Sequence, residues 1–182
     1  MNLGLSDKLK SEFLNVISAK RPTVNFEGIP NQNWLAGFVD GEGCFYVNTK
    51  KAKNYLTGRA LLRRGATYAP LGFQVIMSFS ISQHVRDELL LSNFIDYLKC
   101  GKIEKASTRP NGVTFVTYKF SDIRDKIIPF FQNYPLHGIK SKDYSDFCLI
   151  AKLMENKSHL TLDGIKKIKS LKSGMNRGRI ND

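Results

Sequence analysis

Apolar and polar residues alternate in two segments, 44–50 and 73–82, and this period of two predicts β-strands. In the first segment, Phe45 and Val47 form the apolar face. In the second, the odd positions from Phe73 to Ile81 are apolar, and the even positions are polar except for Ile76. One face of each strand is therefore expected in the core, and the other is expected to be a readout surface.

A helical pattern precedes each pair of predicted strands. The short stretch "WLAGFVD" begins at Asn33-Trp34 and must end at the glycines that follow, and "RDELLLSNFIDYLKCG" is amphipathic with Gly101 in a C-cap position. Two further strands, "GKIEKAS" and "VTFVTYKF", are expected to be joined through the turn signal Asn111-Gly112. The stretch "SDKLKSEFLNVI" predicts a short helix ahead of all these elements.

Three helices close the predicted order. Ser121 is expected to cap "DIRDKIIPFFQNY", and Pro129 is expected to bend it. "SKDYSDFCLIAKLMEN" and "LDGIKKIKSLKSG" follow. The predicted order is α-β-β-α-β-β-α plus C-terminal helices, an α+β fold. We divide the chain into an N-terminal helix and linker (1–33), one domain (34–172) and a basic C-terminal tail (173–182).

Charge is distributed unevenly along the 182 residues. The chain has 28 basic and 16 acidic residues, for a formal charge of +12, and residues 43–86 contain seven basic residues and no acid. Such a stretch suits a polyanion, because each neutralised phosphate releases counterions. A basic surface kept only for solubility is the alternative. Binding to a membrane surface would require a basic amphipathic helix, which this stretch does not resemble.

The three cysteines, Cys44, Cys100 and Cys148, lie far apart and lack zinc-ligand spacing. We interpret them as thiols in a reducing, intracellular compartment. No apolar run approaches the ~20 residues needed to span a bilayer.

The helix "WLAGFVD" runs directly into two acids, Asp40 and Glu42. Its small residues, Ala36 and Gly37, would let a second backbone approach closely, and a helix this short needs packing to be stable. The C-terminal end of a helix carries partial negative charge and is a poor place for two carboxylates. A divalent cation would offset that cost.

Residues Leu35 to Gly43 resemble the LAGLIDADG motif of the homing endonucleases, with Glu42 in place of the second aspartate. The order of elements, the basic strands and the distal block "LHGIKSKDYSDF" are similar too, so the likeness covers residues 34–172. The resemblance implies the αββαββα fold, with an antiparallel β-saddle that binds the DNA major groove. It also implies Mg²⁺, which Ca²⁺ or Mn²⁺ could replace, and double-strand cleavage across the minor groove that leaves 3′ overhangs.

The resemblance implies roles for several residues. Glu42 is the metal-binding acid, Gly41 and Asp40 are further candidate ligands, and Asp40 is better explained as a structural acid at the helix end. Lys140 matches a lysine near the scissile phosphate, and Gln83, after the second strand, matches a water-positioning residue. The expected dimer interface is Trp34, Leu35, Ala36, Gly37, Phe38 and Asp40.

Alternation selects the residues expected to contact DNA, and a one-residue register error would exchange the two faces. Arg59, Arg63 and Arg64 on the long loop are expected to grip phosphate. The predicted sheet contacts are Cys44, Tyr46, Asn48, Lys50, Lys51, Gln74, Ile76, Ser78, Ser80, Ser82, Lys102, Glu104, Thr117 and Lys119.

One motif supplies one helix, so a homodimer on a near-palindromic double-stranded DNA site is expected. The chain also resembles the C-terminal half of two-motif members, so a complementary LAGLIDADG half is the alternative partner. Three functions are open: a nuclease, an intron RNA maturase and a DNA-binding half-domain that does not cut. By resemblance alone, the expected compartment is the mitochondrion.

Overall fold

A four-stranded antiparallel sheet is the centre of the computed structural model, which describes residues 6–17, 28–51 and 73–179. The strands lie in the order β1-β2-β4-β3. β1 pairs with β2 from Gly43 opposite Ile81 onward, and β4 pairs with both β2 and β3. Their bounds are β1 Gly43–Lys51, β2 Phe73–His84, β3 Lys102–Glu104 and β4 Gly112–Thr117.

Helices pack on one face of this sheet, and the predicted order of elements and the α+β class are confirmed. Among the described residues, no helix is long and apolar enough to cross a membrane. The helices are α1 Asp7–Glu12, α2 Gln32–Glu42, α3 Glu88–Leu98, α4 Phe120–Asp122, α5 Ile128–Asn133, α6 Lys140–Glu155 and α7 Leu162–Ser173.

The core lies between the sheet and these helices and is rich in phenylalanine. Phe45 on β1 has its ring centroid 5.1 Å from that of Phe79 on β2, 5.5 Å from Phe131 on α5 and 5.3 Å from Phe147 on α6. All four side chains are essentially inaccessible to solvent. The apolar faces predicted for the first two strands are therefore confirmed as core, and they hold α6 against β1.

The helix after β4 differs from its prediction in two respects. Ser121 lies inside α4 and does not cap it, because the helix begins one residue earlier, at Phe120, with Lys119 as N-cap. A π-helical segment, Ile123–Ile127, connects α4 to α5 just before Pro129. Proline lacks the amide proton that an α-helix needs, and a wider turn is one way to accommodate it.

Gly101 was predicted in a C-cap position, but Lys99 is the C-cap of α3 and Gly101 lies two residues further on, where the fold requires glycine. Its φ is +86°, and Lys99, the C-cap of α3, also has a positive φ of 54°. A Cβ atom at position 101 would lie 2.4 Å from the ring of Phe115, so a side chain there would collide with the core. The Asn111-Gly112 signal marks the end of a longer loop between β3 and β4 rather than a two-residue hairpin.

Candidate active site and nucleic-acid interface

Helix α2 ends abruptly and passes straight into strand β1. The side chain of Asn31 caps the start of the helix by accepting a hydrogen bond from the Trp34 amide at 2.8 Å. At the other end, Gly43 donates its amide proton to the Val39 carbonyl, and a Cβ on Gly43 would lie 2.5 Å from Val39 Cγ1. The absence of a side chain at position 43 thus allows the close turn that leaves Glu42 at the end of the helix, exposed to solvent.

Lys140, at the start of α6, reaches this helix end. Its ammonium group donates to the carbonyl oxygens of Gly41 at 2.9 Å and Val39 at 3.1 Å. These are among the last carbonyls of α2, where the partial negative charge of the helix lies, and the Val39 carbonyl also accepts the amide proton of Gly43. Partial burial lowers the pKa of Lys140, and the nearby Cys44, Asp40, Glu42 and Asp143 raise it in part. Lys140 therefore lies beside the end of the motif within one chain, and its role near the scissile phosphate stays a prediction.

Asp40 is bound inside its own chain. Its Oδ2 accepts hydrogen bonds from the backbone amides of His137 and Gly138, both at 2.8 Å. Its Oδ1 is buried and has no hydrogen-bond partner among the described residues. These contacts join the end of α2 to the segment that leads into α6, which supports the structural role predicted for Asp40. Its metal-binding role stays a prediction.

Glu42 differs from Asp40 because its carboxylate makes no hydrogen bond or ion pair in the described part of the chain. An exposed carboxylate and the nearby Gly41 carbonyl are hard oxygen donors of the kind that Mg²⁺ and Ca²⁺ take as ligands. No group of three or more His, Cys, Asp or Glu side chains able to hold a metal ion occurs among the described residues. The donor chemistry therefore fits a divalent cation, and Glu42 and the Gly41 carbonyl are the groups at this helix end that could hold it.

The outer face of α2 is made of small residues with open space above them. A Cβ atom placed on Gly37 or Gly41 would meet nothing within 4 Å in the described residues, so the packing of this chain does not explain either glycine. Trp34, 36% exposed, stacks on Phe38 beside this face, with ring centroids 5.2 Å apart. This glycine face can receive a second helix at close range.

Two residues of the predicted dimer interface lie elsewhere. Leu35 and Ala36 are buried in the core of their own chain, with exposures of 0% and 5%. Together with Val39 they form the inward side of α2, while Gly37 and Gly41, four residues apart, share the outward side. The prediction was wrong for Leu35 and Ala36, because a helix that packs on its own core cannot offer every side to a partner.

The prediction placed Gln83 after the second strand. It lies within β2 instead, because the strand continues to His84. It pairs with Val113 and shares the helix-facing parity of Ile81, which pairs with Gly43. Gln83 is therefore two residues along the strand from the point where α2 becomes β1. Its role as a water-positioning residue stays a prediction.

The side of the sheet away from the helices, called here the open face, carries most of the predicted DNA contacts that lie among the described residues. Cys44 lies opposite Ser80, Tyr46 opposite Ser78, and Asn48 opposite Ile76, so the residues predicted on the first two strands share one surface. Lys50 and Lys51 are exposed at the end of β1. The lining of a groove along this face is Cys44, Tyr46, Ser78, Ser80, Ser82, Glu104, Lys105, Ala106, Arg109, Thr114, Val116 and Tyr118.

The prediction for the fourth strand was wrong by one residue. Thr117 is 3% exposed and pairs with Phe79, so it belongs to the core face. Thr114 and Val116 face the groove instead, because Val113 and Phe115 occupy the core and neighbouring residues on a strand point to opposite sides. Lys119, predicted by the same parity, lies beyond the end of β4, where it is exposed as the N-cap of α4.

The segment assigned to a basic tail is folded against strand β1 and helix α6 as far as Arg179. Asn176 donates its side-chain amide to the Phe45 carbonyl at 3.0 Å, and its backbone amide donates to the buried carboxylate of Asp143. Arg179 also binds Asp143, at 2.8 Å, and bridges to Asp146. Sequence reasoning missed this network because its partners are more than 30 positions apart. Arg59, Arg63 and Arg64 lie outside the described residues.

Comparison with known proteins identifies the class. The family model described as LAGLIDADG endonuclease matches residues 35–151, and the chain belongs to this family. It is 43% identical to the LAGLIDADG homing endonuclease I-SmaMI bound to cleaved DNA, with a TM-score of 0.86 over 99% of this chain and 55% of that one. I-SmaMI has also been solved with an uncleaved DNA target in the presence of calcium ions.

Curated relatives are intron-encoded proteins. The chain is 38% identical to probable intron-encoded endonuclease 3 of Neurospora crassa, over 94% of this chain and 29% of that protein. It is 33% identical to an uncharacterised 50.9 kDa protein in ND4 intron 1 of Podospora anserina, over 70% of this chain and 25% of that protein. The chain thus spans less than a third of either relative's length.

Proposed function

We propose that this chain contributes half of a site-specific endonuclease that hydrolyses both strands of a DNA duplex and leaves 3′ overhangs. The observation that carries the proposal is the outer end of α2, where an exposed Glu42 carboxylate adjoins a glycine face open to a second helix. Two such ends side by side would present two carboxylates. The open face beside them has the strand geometry and polar side chains needed to contact base edges.

The chemistry proposed for this helix end is divalent-metal-dependent phosphodiester hydrolysis. Glu42 and the Gly41 carbonyl would hold Mg²⁺, which in such sites activates water and stabilises the leaving oxygen. Lys140, fixed to the end of α2 by its two hydrogen bonds, brings a positive charge within reach of a phosphate. Gln83 would orient a water molecule from the adjacent strand.

The second helix is proposed to come from another copy of the chain, which gives a homodimer on a near-palindromic site. A complementary LAGLIDADG half would meet the same requirement, and the length of I-SmaMI relative to this chain is compatible with that arrangement. The mass in solution separates the two: a homodimer shows two chains, whereas a half that needs a different partner stays a single chain. A mitochondrial location is proposed from the relative in the ND4 intron.

The test begins with a randomised pool of DNA duplexes, from which the protein is used to select bound sequences in Ca²⁺. The selected duplex is then incubated with Mg²⁺, and both strands are analysed for cleavage. Wild type should cut both strands, and Glu42→Gln should bind the same duplex without cutting it. Glu155→Gln, the same change at the exposed end of α6, is the matched control and should cut normally. Binding of structured intron RNA in preference to every duplex would contradict the proposal and favour a maturase.

A further inference from the structure

The edge of the open face formed by β3 and β4 carries a charged group with a defined geometry. Lys102 and Glu104 lie on β3, opposite Val116 and Thr114 of β4, and Tyr118 follows the end of β4. Glu104 and Tyr118 both line the groove of the open face. The side chains of Lys102 and Glu104 are 62% and 41% exposed, so a ligand in the groove can reach them.

Each oxygen of the Glu104 carboxylate has one partner in this group. Lys102 Nζ lies 2.7 Å from Oε1, and the Tyr118 hydroxyl donates to Oε2 at 3.1 Å. The Lys102 ammonium also lies 5.7 Å from the centre of the Tyr118 ring. A carboxylate oxygen can accept more than one hydrogen bond, so Glu104 is held in place while keeping acceptor capacity for a ligand.

The charge of Glu104 is unusual in its surroundings. It is the one carboxylate among the described residues that line the groove, in a chain of formal charge +12. A carboxylate in a surface that approaches phosphate is repelled by the DNA backbone. The ion pair with Lys102 offsets part of this repulsion, and a further favourable contact with DNA would offset more of it. Hydrogen-bond donors on the base edges can supply one.

We propose that Lys102 and Glu104 together read one G·C base pair in the major groove, Glu104 accepting from the N4 amino group of cytosine and Lys102 donating to guanine. This inference rests on the proposed function, because it takes the open face as the surface that meets DNA. In the homodimer the same pair occurs twice, so the preference appears at two symmetric positions of the target.

The pattern of donors and acceptors selects this base pair. Guanine presents the acceptors O6 and N7, and cytosine presents the N4 donor beside them. An ammonium group and a carboxylate in contact match this arrangement of adjacent acceptor and donor. An A·T pair also presents a donor, the adenine amino group, but this donor lies between two acceptors, adenine N7 and thymine O4, which repel a carboxylate. Guanine and thymine offer Glu104 no major-groove donor. Lysine is also a common partner of guanine.

The experiment is base-preference profiling by selection from a randomised duplex pool, with sequencing of the bound fraction. Wild type, Glu104→Gln, Tyr118→Phe and the matched control Glu155→Gln are compared. Wild type and the control should enrich cytosine at two symmetric positions, by roughly 5- to 100-fold over the other bases. Glu104→Gln should lose this preference or change it to adenine, which glutamine contacts well, and leave the other positions unchanged.

Tyr118→Phe removes only the hydroxyl that holds Glu104. It should weaken the preference for cytosine while leaving that preference at the same two positions of the target. This variant decides the matter if Glu104→Gln does not fold. Unchanged preferences in the variants, or a uniform gain in affinity for every duplex, would overturn the inference. A wild-type protein that selects a sequence but cuts nothing in Mg²⁺ would instead contradict the proposed nuclease and leave this reading intact.

Discussion

Lys140 Nζ lies 2.9 Å from the carbonyl oxygen of Gly41, a residue 99 positions earlier in the chain. The lysine therefore both fixes the end of α2 to α6 and places a positive charge beside Glu42. An ammonium group in this position favours bound phosphate and any negative charge that develops on it during hydrolysis. The family motif and the distal "HGIKSK" block meet physically at this contact.

Replacing Lys140 with methionine should slow cleavage far more than it weakens binding. The variant keeps most of the aliphatic stem and removes the charge, and loss of one such stabilising group costs about 10²- to 10³-fold in rate. Single-turnover cleavage of the selected duplex and its dissociation constant measure the two effects. Lys142→Met, at an exposed lysine of the same helix, is the control and should cleave at the wild-type rate. Equal cleavage rates for Lys140→Met and Lys142→Met would show that Lys140 does not take part in the proposed hydrolysis.

The two acids of the motif should respond differently to loss of charge. Asp40→Asn weakens the hydrogen bonds from the amides of His137 and Gly138, and a bond to a charged group contributes about 1.5–3 kcal/mol. Its free energy of unfolding, measured with urea, should fall by roughly that amount. Glu42→Gln should leave the unfolding free energy within about 0.5 kcal/mol of wild type, as for surface changes generally. The same loss in both variants would mean that Glu42 is a structural acid.

Gly37→Leu should stabilise the monomer and weaken its assembly. Leucine favours a helix over glycine by roughly 0.5–1 kcal/mol, and the space above position 37 is open in the described structure. The same side chain would prevent close approach of a second helix. Denaturant unfolding measures the change in stability, and light scattering measures the molar mass in solution and hence the assembly. Gly43→Ala, whose Cβ would collide with Val39, is the contrasting variant and should lower folding stability instead. Normal assembly of Gly37→Leu would show that α2 does not form the interface.

Folding stability should decline in mild acid because of His159. This side chain is 2% exposed, and neither ring nitrogen has a hydrogen-bond partner at good geometry among the described residues. Burial lowers its pKa below the ordinary value of 6.5, and the backbone of Leu153 and Met154 raises it only in part. The unfolded chain thus takes up a proton near pH 6.5 that the folded chain binds only at lower pH, so stability is full above that pH and falls as pH drops through it.

Urea titrations between pH 5 and pH 8 measure this slope. His159→Leu should show a shallower loss of unfolding free energy with falling pH than wild type. His84→Gln, at an exposed histidine, is the control and should keep the wild-type slope. If His159→Leu retained the full slope, other groups would account for the acid sensitivity.

The alternation of apolar and polar residues was enough to predict the two faces of a strand where one face is clearly apolar. Phe45 and Val47 against Tyr46 and Asn48 define the two faces of β1, and the structure has these faces as predicted. The fourth strand was harder because both of its faces are partly apolar. The even-numbered Val116 lines the groove, whereas Thr117 is buried on the core face. A prediction from the hydrophobicity of these two residues would therefore assign each of them to the wrong face. The parity of Phe115 identifies the core face correctly.

Contacts between distant segments could not be predicted in the same way. The bond between Arg179 and Asp143 joins residues 36 positions apart, and nothing in the sequence around Arg179 distinguishes it from other basic residues near the C-terminus. Lys140 and Gln83 were predicted from the family resemblance, not from a local signal, and their roles stay predictions. The inward placement of Leu35 and Ala36 depends on which side of α2 meets the sheet, and this is decided only by packing.

In the proposed nuclease, two α2 helix ends bring paired Glu42 carboxylates to one DNA duplex. The most direct test of this pairing mixes wild type with an excess of Glu42→Gln and measures cleavage of each strand of the selected duplex in Mg²⁺. Wild type alone should cut both strands, and these double-strand cuts should be lost progressively as the inactive chain enters mixed dimers. Double-strand cleavage that depends only on the amount of wild type, unaffected by the excess variant, would contradict the pairing.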